Sequence, residues 1–181
     1  MMLEFGKVYL TIIHARFKSL KDLGDKAIAQ LSEEGLHWTL HESSNSISIL
    51  IRHLSGNMIS RWTDFLTSDG EKPYRNRDEE FMDTMATNEE LFALWEKGWN
   101  ILFHALEQIP AEQLLTTIYI RGEAHTVIDA IERQLAHYAM HVGQIIFIAK
   151  QIQKDEWQSL SISKGQSSEY NEMMFNKGGT K

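Results

Sequence analysis

The sequence predicts an all-α protein built on four long helices, and three observations carry that expectation. Apolar residues recur at three- and four-residue intervals over long stretches of the chain. The two prolines, Pro73 and Pro110, fall between those stretches and so punctuate helices without interrupting them. Only the run Thr116-Thr117-Ile118-Tyr119-Ile120 is dense in β-branched and aromatic residues, which suggests a short strand or hairpin. With 181 residues, 43% of them hydrophobic, the chain suffices for one sizeable core and hardly for two. Residues 1–176 are therefore expected to form a single domain.

The first helix is expected over about Leu3 to Leu31, burying Val8, Ile12, Ala15, Leu20, Leu23, Ala27 and Leu31, with Ser32 and Gly35 marking its end. Ser44-Asn45 offers a cap for a second helix of about Ser46 to Leu66, whose apolar face is Ile47, Ile51, Leu54, Met58, Trp62 and Phe65. Residues 67–73 are turn chemistry and begin a polar connection through Arg75, Arg77 and Asp78. Thr87-Asn88-Glu89-Glu90 is a start signal for a third helix, carrying Leu91, Leu94, Trp95, Trp99, Leu102 and Leu106 and ending before Pro110. The β-branched excursion then precedes a fourth helix over about Val127 to Gln153. The segment from Ser159 is rich in Ser, Gly and Lys, and residues 177–181 are expected to be disordered.

Composition removes several classes of function. Acidic residues outnumber basic ones 25 to 18, giving a formal charge of −7, and no cluster of Lys and Arg supplies a footprint for nucleic acid. The absence of Cys excludes disulfides, thiolate zinc sites, iron–sulfur clusters and a Cys nucleophile, so any metal must be held by His and carboxylates. The apolar stretch Val8 to Ile13 is too short for a signal peptide, and no run approaches the roughly 18 residues of a membrane span. A soluble cytoplasmic protein is expected.

The fourth helix contains His137-Tyr138-Ala139-Met140-His141. Two imidazoles four residues apart lie about 40° apart around a helix and one turn along it, so they can share one ion. His53 lies mid-way along the second helix, aligned with Ser46, Asn57, Ser60 and Asp64 in a polar column, with Arg61 close by. Taken singly, each histidine reads as a polar residue bordering the core. Taken together, three neutral imidazoles from two helices with other positions left to water are the donor set of an open, reactive site. Asn57, Arg61 and Gln144 project near these histidines and are candidates for orienting ligands or substrate. Other signatures fit poorly. Glu34-Gly35-Leu36-His37 matches the Glu-x-x-His of di-iron helical proteins only once, and Tyr138 stands where a zincin requires Glu.

Arg52-His53-Leu54-Ser55-Gly56-Asn57, followed far along the chain by His137-Tyr138-Ala139-Met140-His141, resembles the DinB-like superfamily over nearly the whole chain. Gly56 to Trp62, Asp69 to Pro73 with Arg75 to Asp78, and Leu160 to Ser167 resemble an uncharacterised branch of it, a domain of unknown function. The resemblance implies an up-down-down-up four-helix bundle in which His53, His137 and His141 hold one divalent metal ion, with zinc, nickel or iron the expected ions. Better understood relatives include bacillithiol, mycothiol and glutathione S-transferases and a thiol-dependent maleylpyruvate isomerase. A metal-dependent transferase, activating a low-molecular-weight thiol for attack on an electrophile, is therefore the expected activity.

Two other classes compete with it. A metal-activated water could run hydrolysis, with Asp64 or Glu42 as base. A non-enzymatic metal-binding stress-response protein could instead use its surface for partners, and Ala136, Met140, Gly143 and Phe147 form an apolar stripe suited to a homodimer face.

Overall fold

A computed structural model describes residues 2–177. The fold is mostly helical, with helices α1 (Met2–Ile28), α2 (Glu33–His37), α3 (Ile47–Trp62), α4 (Arg77–Glu80), α5 (Asn88–Gln108), α6 (Val127–Gln153) and α7 (Ser167–Lys177). Strands β1 (Thr117–Ile120) and β2 (Glu123–Thr126) form the one small sheet among the described residues. Residues 177–181, expected to be disordered, begin with the last residue of α7, and 178–181 lie outside the described part.

The four long helices, α1, α3, α5 and α6, share one hydrophobic core. α3 packs against α5 and α6, and α1 against α6 and α5. All six apolar residues expected on the second helix are buried, as are Trp95, Trp99, Leu102 and Leu106 of α5 and Ile131, Tyr138, Val142 and Ile145 of α6. The first half of α1 departs from expectation: Val8 and Ile12 are half-exposed and Ala15 is exposed, while Ile13 and Phe17 face the core; further along, Ala27 is buried and Leu20, Leu23 and Leu31 pack against the core as expected. Two apolar stripes run along this helix, and the stripe holding Phe17 takes the interior because its ring meets Trp62 and Tyr138 there. None of the described helices is long and apolar enough to cross a membrane.

Local chemistry sets the element ends. The cap of α3 is Ser46, whose side chain accepts from the Ile49 N–H, and not the Ser44-Asn45 pair. The helix stops at Trp62, four residues before the expected Leu66, because Thr63 turns extended and Asp64 adopts a left-handed φ of 50°. Thr87 and Glu90 form a reciprocal capping box at the start of α5. The β1–β2 turn places Arg121 and Gly122 at φ of 55° and 75°, as a tight antiparallel hairpin demands. Asp69 ties the connection after α3 to this turn. Its carboxylate accepts from the N–H groups of Glu71, Arg121 and Gly122, which outweigh burial and hold its pKa below the usual carboxylate range.

Candidate metal centre

α3 and α6 bring His53, His137 and His141 together across the interface between them. His53 and His141 are buried and His137 is half-buried. The three ring centroids stand 4.7 to 5.4 Å apart. Their planes cross at 70° to 88°, so ring edges and not faces meet. The Nε2 of His137 lies 3.4 Å from that of His53 and 3.2 Å from that of His141.

The outer nitrogens of two rings are already committed. His53 donates from Nδ1 to Glu80 Oε2 at 3.0 Å. His141 Nδ1 faces Gln144 Oε1 at 2.8 Å and donates to it. With the proton on Nδ1, each neutral ring presents a bare lone pair at Nε2. Burial first, then the neighbouring His141 and His53, push the pKa of His137 down to about 3, so its ring is neutral. Burial likewise lowers His141. A neutral His137 has at most one Nε2 proton to offer, and two lone pairs converge on it.

A cation between the three nitrogens resolves that conflict, and the spacing fits one. A tetrahedral ion with ligand bonds of about 2.0–2.1 Å separates its nitrogens by roughly 3.3–3.4 Å. The two Nε2 separations bracket that value. The three histidines thus form a group that could hold a metal ion, the only such group of His, Cys, Asp and Glu found among the described residues.

The support behind His53 comes from the polar connection after α3. Glu80 is buried at the end of α4 and accepts from Arg75 Nε at 2.7 Å and Nη2 at 2.8 Å as well as from His53. Burial alone would raise its pKa, but the hydrogen bonds from Arg75 and then His53 prevail and keep it ionised. Gly56, one turn after His53, lacks the Cβ that would strike the Glu80 carboxylate. Phe81 stacks obliquely on the His53 ring with centroids 4.8 Å apart. A chain from Arg75 through Glu80 to His53 fixes the imidazole's tautomer and its aim, as in the carboxylate–histidine pairs behind metal ligands.

The same connection is latched a second time. His37 Nδ1 lies 2.9 Å from both carboxylate oxygens of Asp83, and its Nε2 lies 2.9 Å from the Ala86 carbonyl. Both partners can only accept, so the ring is a charged imidazolium donating at both ends. Burial opposes that charge, yet the hydrogen bonds to Asp83 and Ala86 raise the His37 pKa overall.

The three candidates for ligand or substrate orientation separate. Gln144 contacts His141 directly. Asn57 instead accepts from Tyr138, whose hydroxyl accepts from Trp62 Nε1, a buried chain that pins α3 to α6 one turn from His53. Arg61 is buried, packs beside Gly70 and makes no hydrogen bond to the three histidines. Neither Asp64 nor Glu42 joins the cluster. Outside the cluster, His37 pairs with Asp83 at 2.9 Å and His125 with Asp129 at 2.6 Å. Glu80 and Arg75 escaped sequence reasoning. The signal available was a glycine three residues after a core-facing histidine, leaving room for a side chain from elsewhere.

Residues 4–166 match the sequence model of a family described as a protein of unknown function (DUF1572). No curated protein matches the chain.

Proposed function

The chain belongs to the DUF1572 family, and from that premise we propose that it is a DinB-like four-helix bundle acting as a metal-dependent S-transferase. His53, His137 and His141 hold one divalent ion, and a low-molecular-weight thiol attacks an electrophile beside it. The approach of His53 and His141 Nε2 to His137 Nε2 at ligand spacing, with outer nitrogens anchored on Glu80 and Gln144, carries this reading.

A divalent ion bound there supplies Lewis-acid chemistry, lowering the pKa of a thiol at an open position. The chain's own residues do the rest. Three neutral imidazoles add no negative charge, so the ion keeps its full charge for a thiolate. Glu80 and Arg75 hold His53 in the Nδ1-protonated tautomer, and Gln144 does the same for His141. The chain offers no Cys, so the sulfur comes from the cosubstrate. In the transfer, the sulfur–carbon bond forms as the leaving group departs with its electron pair, and the thiol proton passes to solvent.

Carboxylate placement favours this over hydrolysis. The carboxylate nearest the cluster, Glu80, is saturated by Arg75 and His53 and has no role to spare as a base for water.

Elemental analysis of the purified protein, with His53→Ala and His141→Ala beside it, tests the site. One equivalent of metal in the wild type and loss in both variants is expected, and full stoichiometry in both would overturn the shared site. A panel of small thiols with chlorodinitrobenzene then tests the reaction. Absence of metal-dependent turnover with every thiol would overturn the transferase reading.

A further inference from the structure

The apolar stripe on α6 that sequence alone assigned to a homodimer face is one wall of a cavity of about 430 Å³. The opposite wall is the segment between α2 and α3, contributing Trp38 and Leu40, and Leu50 of α3 closes the floor. Met140, Phe147 and Ile148 line the α6 side. Leu40, Met140 and Phe147 are each more than half exposed, an apolar concentration that a solvated surface does not need.

This cavity continues the metal centre. Leu50 lies one helical turn before His53 on α3, and on α6 Gln144 lies one turn after His141, which follows His137 by one turn. One turn is about 5.4 Å, so the floor of the cavity and the three histidines occupy successive turns of the same packed helix pair. Gln144 belongs to both: it lines the cavity and accepts from His141 Nδ1. Gly143 opens the wall, since a Cβ built there meets nothing within 4 Å.

We propose that this cavity binds the apolar body, aryl or alkyl, of the electrophilic substrate and sets it beside the thiol held at the three histidines. Its volume falls in the range of preformed small-molecule sites, and it shares Gln144 with the metal centre. The assignment of the ligand as an electrophile rests on the transferase reading. The existence of the apolar site does not.

The test uses zinc-loaded protein, the neutral fluorophore N-phenyl-1-naphthylamine as probe and a series of straight-chain primary alcohols as competitors. Saturable binding of one probe per chain is expected, with competitor affinity rising up to roughly fourfold per added methylene. Gly143→Leu, which fills the opening from a helical position without meeting protein atoms, is expected to weaken probe binding at least tenfold with zinc content unchanged. Phe147→Ser, at an exposed position, is the second variant and is expected to weaken it severalfold. His137→Ala, impaired in metal binding, is expected to bind the probe as the wild type does. No saturable binding, or wild-type binding by both groove variants, overturns the proposal. So does a concentration-dependent dimer that excludes the probe and is broken by Gly143→Leu, which would make the groove a subunit interface. Probe binding with no thiol turnover anywhere would leave the apolar site standing and remove the transferase reading.

Discussion

Glu80→Gln is the sharpest probe of the centre, because it changes one charge and almost no volume at a residue that touches no open position. The carboxylate accepts three hydrogen bonds: from Arg75 Nε at Oε1, and from Arg75 Nη2 and His53 Nδ1 at Oε2. A glutamine amide accepts on one side only. With its oxygen in the Oε2 place, the amide nitrogen opposes Arg75 Nε, donor against donor. In the other orientation His53 and Arg75 Nη2 both lose their acceptor. At least one buried donor is orphaned either way, at a cost of about 1–3 kcal/mol to the metal-free protein. Arg75, whose side chain is 3% exposed, is left with only its longer ion pair to Glu71 at 3.7 Å. His53 loses the partner that fixes its tautomer, and losing the group that holds a metal-binding histidine in place weakens metal affinity by about 10- to 100-fold. Chelator competition for Zn²⁺ at pH 7 and urea unfolding of the apo-protein measure the two effects separately. Zinc affinity within twofold of wild type, where His53→Ala abolishes binding, would refute the claim that Glu80 aims the ligand.

The His37–Asp83 latch gives a pH signature. The folded pKa of His37 lies above its unfolded value of about 6.5, so its stabilisation is complete below pH 6.5 and is lost as pH rises through the folded value. Urea midpoints of wild type should therefore converge on those of His37→Gln between pH 6 and pH 9, and parallel profiles would rule the latch out. Tyr138→Phe leaves Trp62 Nε1 without an acceptor and Asn57 Oδ1 without a donor inside the core. It should cost about 1–3 kcal/mol per orphaned group in chemical denaturation while zinc stoichiometry stays at one. An unchanged midpoint would mean that water replaces the hydroxyl.

Much of the helical framework and part of the centre were legible in the residues. The His137–His141 pair follows from helical spacing on an element whose bounds, Val127 to Gln153, match those expected. By its local pattern His53 was legible only as a core-edge residue in a polar column, and the resemblance alone joined it to the other two; their convergence comes from the packing of α3 on α6, which no local pattern encodes. Glu80 and Arg75 were hidden for a different reason. They lie on the irregular stretch between α3 and α5, where no apolar period fixes the path, and α4 is a single turn held by its Asn76 cap. The α1 stripe was misassigned only in its first half, at Val8, Ile12 and Ala15, because periodicity finds stripes without saying which one meets the aromatic cluster; Leu20, Leu23, Ala27 and Leu31 do pack on the core. Asn57 was placed in the polar column correctly, but its partner is a tyrosine on α6, not a ligand.

The three histidines also set an order of events in the life of the chain. His53 and His137 are separated by 84 positions, and α6 is the last of the four long helices. During synthesis, His53 and the Glu80–Arg75 support emerge well before the residues that complete the donor set. A chain released as far as α5 offers only one of the three clustered imidazoles, too few to hold an ion tightly at this site. An ion bound as proposed would therefore load only after α6 has left the ribosome and docked on α3. From then on such an ion would be a late cross-link between the two halves of the polypeptide, stabilising the finished fold with the logarithm of the ratio of free metal to its dissociation constant.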